Sequence, residues 1–353
     1  SGGDSAISAN ADPQVRAQTA HGGVDIRPYR VGNTLLFVGR DSKRIRDYIF
    51  NVKNGSYTSQ NLNVLSNDIV MNAGSTSTSY SEGTIIQMAY QASASILWVL
   101  TSRNILLSLT YDIDTKTSSW ARHAIGGTNT KVYGIAAIAN QYGNADELWI
   151  TVGRTINGAT AYYLEKIGVD FHNSELKGQF TSEDDLPFYS DSSLRLTDFG
   201  SAKVSWSGLA HLEGETVKVL ADGVIHADLV VSGGAITVGS SVEEVIVGLE
   251  YKAIINSMDL HAGAQFDSAS GNVSRIDRLY LHLFNSFGGS IGRDSSSIES
   301  IEYDVTLNNP LFSGGIKQAF NGTPDEESKV YIEHNDPLPF NLLTMTMRGV
   351  SYD

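Results

Sequence analysis

From Val24 to about Leu186 the chain alternates apolar and polar positions in short runs broken by Gly, Asn, Asp and Ser. That is the spacing of β-strands joined by turns, and no long window repeats apolar residues at helical intervals between caps. Three runs share an aromatic centre: Leu36-Phe37-Val38, Leu97-Trp98-Val99 and Leu148-Trp149-Ile150. Each precedes a polar turn (Gly39–Ser42, Ser102-Arg103-Asn104, and Gly153 with Asn157-Gly158) and a second strand, Ile45–Val52, Ile105–Tyr111 and Ala159–Ile167. The aromatic centres stand 61 and 51 residues apart, and a Ser/Thr-rich surface loop at Asn72–Glu82 accounts for the longer interval. The middle unit accommodates four strands, Thr84–Tyr90, Ile96–Thr101, Ile105–Tyr111 and Ser118–Ile125. Four strands in roughly 40–50 residues is the size of a β-propeller blade, with the aromatic of the second strand packed between neighbouring sheets. An ordinary meander with aromatic core positions gives the same pattern. A closed propeller takes about four to eight blades, and about three are visible here.

The remaining chain reads as β-structure of another kind. Residues 1–23 are small and polar, an extended lead or linker. Blade-like repeats occupy 24–186. The polar, acidic stretch 168–200 forms the connection, with 187–200 as the linker proper. A small β-meander or barrel domain follows at 201–262, and a C-terminal β-domain at 263–353. Within Gly208–Val238 three strands are predicted, Thr216–Val219, Val224–Leu229 and Ala235–Val238. Asp222-Gly223 is a strong hairpin signal between the first two, and Ser232-Gly233-Gly234 makes the second turn. Val242–Tyr251 adds a strand pair. Ser274–Phe284 alternates Ile276, Leu279, Leu281 and Leu283 with Asp277, Tyr280 and His282, and further strands are expected at Ile298–Leu307, Lys329–Glu333 and Phe340–Arg348. The fold class is all-β: blade-like four-stranded repeats, a partial β-propeller, followed by small barrel or sandwich domains.

Composition narrows the function. At 353 residues and 41% hydrophobic content the chain can bury a substantial core, and no apolar run approaches the length of a membrane span. The opening SGGDSAISANADPQ lacks the apolar centre of a signal peptide and reads as a scar, or as the point where a longer protein was cut. Absence of cysteine excludes disulfides, thiolate metal sites and cysteine nucleophiles. A net charge of −14 is spread along the chain, and the one basic cluster, Arg40–Arg46, is interrupted by acid. Tight sequence-independent DNA binding needs Lys and Arg gathered on one face, so it is not expected as the main task.

Candidate chemistry is sparse. His211, Glu213 and Glu215 form H-x-E-x-E, which on a strand would share one face as a metal or acid/base cluster. Gly214 interrupts that run, and the helical H-E-x-x-H spacing is absent, so a solvated strand end is the plainer reading. Asp112 and Asp114 resemble the start of a calcium loop, but Thr117 and His123 stand where Gly and Glu are required, leaving a turn between strands. Glu82, Asp146, Glu147 and Glu165 are carboxylates that a glycosidase could pair, although nothing in their spacing selects them. Gly-Gly pairs at 126–127, 233–234, 288–289 and 314–315 fit no phosphate loop and read as turns. No catalytic, cofactor-binding or metal residue is predicted, no cofactor is expected, and the chain reads as a non-enzyme.

Several segments resemble, in the same order, the tail nozzle (tail tubular protein B-like, or stabilisation) family of short-tailed bacteriophages and prophages. They are VGNTLLFVGRDSKRIRDYIFNVKNGSY, ILWVLTSRNILLSLTYDIDTKTSSWARHAIGG, DELWITVGRTINGATAYYLEKI, GLAHLEGETVKVLADGVIHADLVVSGGAITV and PLPFNLLTMTMRG. The resemblance runs from about His21 to the last strand and corresponds to the C-terminal half of that family, the other half carrying further blades. It implies a virion structural protein located in the phage tail, assembled as a ring, typically a hexamer. Its implied partners are itself, the adaptor and fibre proteins of the tail, and passing genomic DNA that it does not bind specifically. An acidic channel wall would not hold the phosphates. Two other classes fit parts of the sequence: a carbohydrate-binding or depolymerising tail protein acting on the host surface, and a non-viral β-propeller adhesin.

Overall fold

The computed structural model describes residues 19–53, 55–71, 83–113, 115, 117–141, 143, 145–167, 189–259, 273–303, 311–325 and 328–352. Most of the predicted lead, the Asn72–Glu82 loop and residues 168–188 of the connection therefore lie outside the described residues. The chain divides into two compact units, one of residues 1–123 and 132–151, the other of 124–131 and 152–353.

In the first unit, alternation within Thr34–Val38 buries Leu36 and Val38 and turns Leu35 outward. The strands β1 (Tyr29–Val31), β2 (Thr34–Val38), β3 (Ile45–Asn51) and β4 (Ser56–Thr58) form an antiparallel sheet in chain order. A short helix, α1 (Asp68–Met71), precedes a second sheet of the same topology: β5 (Ile85–Gln91), β6 (Ile96–Thr101), β7 (Leu106–Asp112) and β8 (Thr117–His123). The repeat is visible in the register, because Tyr29 opposes Leu36 and Tyr90 opposes Leu97. One core contains Leu36, Val38 and Ile45 from the first sheet and Leu97, Val99, Leu107 and Leu109 from the second. The residues that meet in this core are therefore the leucines and valines flanking the aromatics. Phe37 and Trp98 occupy the opposite parity, so the expected aromatic packing between these two sheets is replaced by aliphatic packing. Trp98 is nonetheless buried, with its indole N–H donating to Gln91 Oε1 at 2.9 Å and its ring 4.7 Å from that of His123.

The third repeat is a three-stranded sheet of β9 (Thr128–Ala139), β10 (Asp146–Ile156) and β11 (Ala159–Ile167), in the order β11-β10-β9. Asn157 and Gly158, with φ of 46° and 76°, join β10 to β11 by the two-residue turn that matches strand twist.

In the second unit, β12 (Asp191–Thr197), β13 (Lys203–Ser207), β14 (Thr216–Ala221), β15 (Val224–Val230), β16 (Ala235–Val242) and β17 (Glu244–Leu249) form two sheets, β12-β17-β14-β15 and β13-β16. Asp222 and Gly223 take positive φ as the hairpin turn requires. The predicted three-stranded meander is only half continuous, since β16 pairs with β13 and not with β15. The reason is burial: Ile236 and Val238 of β16 join Trp206 of β13 against Val217 and Val219 of β14, closing a two-layer core. The strand pair predicted at Val242–Tyr251 is one strand, β17, preceded by the end of β16.

The C-terminal part contains β18 (Ala253–Asn256), β19 (Val273–Ser286), β20 (Ser290–Gly292), β21 (Ile298–Ser300), β22 (Phe312–Ala319), β23 (Tyr331–His334) and β24 (Asn341–Tyr352), in the sheets β18-β23-β20-β21 and β22-β19-β24. Ile276, Leu279, Leu281 and Leu283 of β19 enter a core with Ile291 and Ile332. Gly314-Gly315 lies inside β22 rather than in a turn, and these glycines admit the rings of Phe312 and His282 above them. Gly233-Gly234 and Gly288-Gly289 are turns with positive φ, as read. The chain is all-β in four-stranded antiparallel sheets and smaller ones, and no sheet closes into a barrel among the described residues.

Candidate functional site

The most concentrated charge chemistry lies in the second unit around Arg154. On β10, Val152, Arg154 and Ile156 share the inward face, and all three are buried. An arginine at such a position must be neutralised and hydrogen-bonded, because an isolated charge in an apolar interior costs several kcal/mol or more. Glu165 of β11 supplies this with both oxygens: Arg154 Nη2 donates to Oε2 at 2.8 Å and Nη1 donates to Oε1. Arg154 Nε donates to the Gly126 carbonyl at 2.7 Å, and the Gly126 N–H donates to Asp191 Oδ2 at 2.5 Å. Gly126 is thus held at both ends of its backbone. A Cβ there would come within 2.4 Å of the Glu250 carbonyl, and one on Gly127, at φ 105°, within 2.8 Å of Arg154 Cδ.

Two carboxylates, Glu165 and Asp191, share this one guanidinium. Burial pushes the Asp191 carboxyl up to about 6, against the Gly126 N–H and the Arg154 charge, while Glu165 adds to the rise. Burial, with the charge of Asp191, pushes the Tyr251 phenol up to about 12. Tyr163, whose ring centre is 5.9 Å from the guanidinium carbon, donates from its phenol to the His211 carbonyl at 3.1 Å. The arrangement binds β10, β11, the 126–127 segment and β12 together. Its carboxylates are already committed to protein donors.

The H-x-E-x-E residues are placed differently from the strand picture. Ala210–Leu212 is a 3₁₀ turn and Gly214 has φ 78°, so the three side chains do not line one strand face. His211 Nε2 donates to the Ser192 carbonyl at 3.0 Å. Glu213 receives the N–H groups of Gly233 at 3.0 Å and Gly234 at 2.6 Å, one on each oxygen. Glu213 therefore braces the second glycine turn of Gly208–Val238. Asp222 ties the first turn to the start of β17, its Oδ1 receiving the N–H groups of Glu243 and Glu244.

Of the candidate calcium residues, Asp114 lies outside the described residues, and Asp112 Oδ1 accepts from the Thr115 N–H at 3.4 Å, as in a turn. Of the possible glycosidase carboxylates, Glu82 lies outside the described residues. Asp146 Oδ2 accepts from the Ser93 N–H at 2.9 Å, Glu147 Oε2 accepts from the Trp149 indole at 3.2 Å, and Glu165 is taken by Arg154. No group of three or more His, Asp or Glu suited to a metal occurs among the described residues. The sequence pattern singles out neither Arg154 nor Asp191, and it presents Gly126 only as one of a pair of turn glycines. Parity offered one signal, since Arg154 continues the series Leu148, Ile150, Val152 on a buried strand face. No family model matches the chain, and no curated protein matches it.

Proposed function

We propose that the chain is a structural subunit of a bacteriophage tail, one copy in a ring-shaped nozzle that extends the DNA-ejection channel. The ordered motifs described above motivate this reading. One observation from the fold carries it: among the described residues the third repeat has three strands, and β11 at its edge presents Tyr162 and Leu164 at 65% and 67% exposure. An edge strand with outward apolar side chains is a surface that folded proteins normally cover, and subunits of a ring cover such surfaces by mutual burial. The charged groups of the described residues act in the same sense, since Arg154, Glu213 and Asp222 rigidify backbone. A ring subunit requires that rigidity and no catalytic step.

The test is assembly. The full reading frame, purified and examined by sedimentation and negative-stain imaging, should form closed rings, and Tyr162→Lys with Leu164→Lys should reduce their yield. A species that stays monomeric at tens of micromolar, with no rings in the images, refutes the proposal. Passing DNA should not be retained: a basic bore, or duplex DNA binding that weakens steeply with salt, would refute the low-adhesion channel.

A further inference from the structure

The first sheet has one covered face and one open face. Leu36, Val38 and Ile45 enter the core shared with the second sheet. Register gathers the intervening residues on the other side: Arg30 opposes Leu35, Leu35 opposes Tyr48, Phe37 opposes Arg46, and Phe50 opposes Tyr57. Leu35, Phe50 and Tyr57 are exposed there. Tyr57 stacks on Tyr48 with ring centres 4.5 Å apart and meets Phe50 edge-on at 5.1 Å. Arg30 turns its Nε to the Gly32 carbonyl at 2.9 Å, and among the described residues neither Arg30 nor Arg46 has a carboxylate partner. Tyrosine, phenylalanine and arginine together are the composition of a buried interface centre, not of a solvated sheet. The face is also a charge anomaly: residues 27–46 hold six of the 25 Lys and Arg and one of the 39 Asp and Glu, in a chain of net charge −14.

The second unit carries the complementary feature. Asp198–Ser201 is a turn closed by the Ser201 N–H on the Asp198 carbonyl at 3.0 Å, with Gly200 at φ 80° in its third position. Phe199, in the second position, is 67% exposed. Four carboxylates gather at this corner. Asp198 is neutralised by Lys203 at 2.8 Å, and Glu244 by Arg195 at 2.8 Å. Glu243 accepts from the Gly200 N–H, and Asp222 accepts from the Glu243 and Glu244 N–H groups, so both have backbone donors and, among the described residues, no cation.

We propose that the Phe199 corner of one copy docks on the open aromatic face of the first sheet of the next copy. This rests on the ring reading above and names a pair of surfaces that meet in it. Two uncompensated carboxylates beside an exposed ring face two unpaired guanidiniums beside exposed rings, so apolar burial and charge agree on one partner. The two patches differ, which makes the contact head-to-tail, the kind that generates rings. A two-fold contact of the sheet face with itself would set Arg30 and Arg46 against their own copies.

Sedimentation velocity and negative-stain imaging of the full reading frame test it. Arg46→Glu, Glu243→Arg and Phe199→Ser should each raise the concentration needed for rings by about tenfold. Arg46→Glu combined with Glu243→Arg in one chain should bring that concentration back toward the wild-type value, which a merely structural role for either residue would not do. Wild-type assembly should weaken as salt rises from about 0.05 to about 0.5 M. Unchanged urea midpoints would show that the variants remain folded. Rings that form equally well in all three single variants overturn the docking and leave the ring reading standing, whereas a wild-type chain that forms no rings overturns both. The docking is also overturned if the double reversal assembles no better than the single ones. It fails too if a single-stranded oligonucleotide binds the wild-type face, is lost in Arg46→Glu and leaves ring formation undisturbed.

Discussion

Asp191→Asn should remove a loss of stability that the wild-type chain suffers as pH rises from about 4 to about 6. The folded-state value of about 6 lies above the ordinary 3.8, so the folded chain holds a proton that the unfolded chain has released across that window. Stability therefore falls with rising pH through it and stays lower above it. At about 1.4 kcal/mol per pH unit the gap amounts to about 3 kcal/mol, an upper figure for a group that retains some exposure. His123 works in the opposite direction. Burial pushes its ring down from 6.5 to about 4, so the folded chain holds fewer protons there and stability rises with pH over nearly the same window, also by about 3 kcal/mol.

The two effects mask each other in the wild-type profile, and single substitutions unmask them. Urea unfolding followed by tryptophan fluorescence between pH 4 and 7.5 should give a profile for Asp191→Asn that climbs with pH relative to wild type. His123→Gln should give one that falls. Because Asp191 and His123 belong to different units, the slopes should separate into two transitions if the units unfold independently. Wild-type and Asp191→Asn profiles that run parallel from pH 4 to 6 would refute the assignment of a protonated, buried Asp191.

Other substitutions follow from the same contacts. Arg154→Met leaves Glu165 and Asp191 without their cation and should cost about 3–5 kcal/mol in urea unfolding, while adding Glu165→Gln and Asp191→Asn should recover much of it. Gly126→Ala drives a Cβ into the Glu250 carbonyl and should destabilise by more than about 1 kcal/mol, whereas Gly32→Ala, which meets no neighbour, should incur only the smaller penalty of a positive φ. Glu213→Ala removes both acceptors from the Gly233-Gly234 turn and should cost about 1–3 kcal/mol by thermal unfolding. A chelator should leave the wild-type melting temperature unchanged, and a large drop would restore H-x-E-x-E as a metal site.

Strand existence was legible because it depends on local alternation. Ile85–Gln91, Ile96–Thr101 and Ala159–Ile167 lie where the pattern put them, to within a residue or so. Partnership between strands was less legible. The Asp222-Gly223 hairpin forms because a two-residue turn with positive φ fixes its own register. The Ser232-Gly233-Gly234 turn leaves β16 free to choose a partner, and the choice of β13 depends on where Trp206 is buried, nearly thirty residues upstream. β22 was missed because Gly314-Gly315 has the composition of a turn. Its role is to make room for the Phe312 and His282 rings, which no local pattern reveals.

The same distinction explains the polar groups. H-x-E-x-E suggested a cluster because its residues are close in sequence, but a 3₁₀ turn and the positive φ of Gly214 separate their directions. Glu213 then finds its donors twenty residues on, in the turn of the stretch it belongs to. Arg154, Glu165, Gly126 and Asp191 are scattered over sixty-five residues and meet only because β10 turns sharply into β11 and β12 passes beside the 126–127 segment. Each partner alone looks like an ordinary surface charge or a turn glycine. What marks the group is an arginine on an otherwise aliphatic inward face, a conflict between residue type and parity that only tertiary contacts can resolve. Such a conflict identifies a position that needs partners without naming them, and here the partners make it a brace for the scaffold.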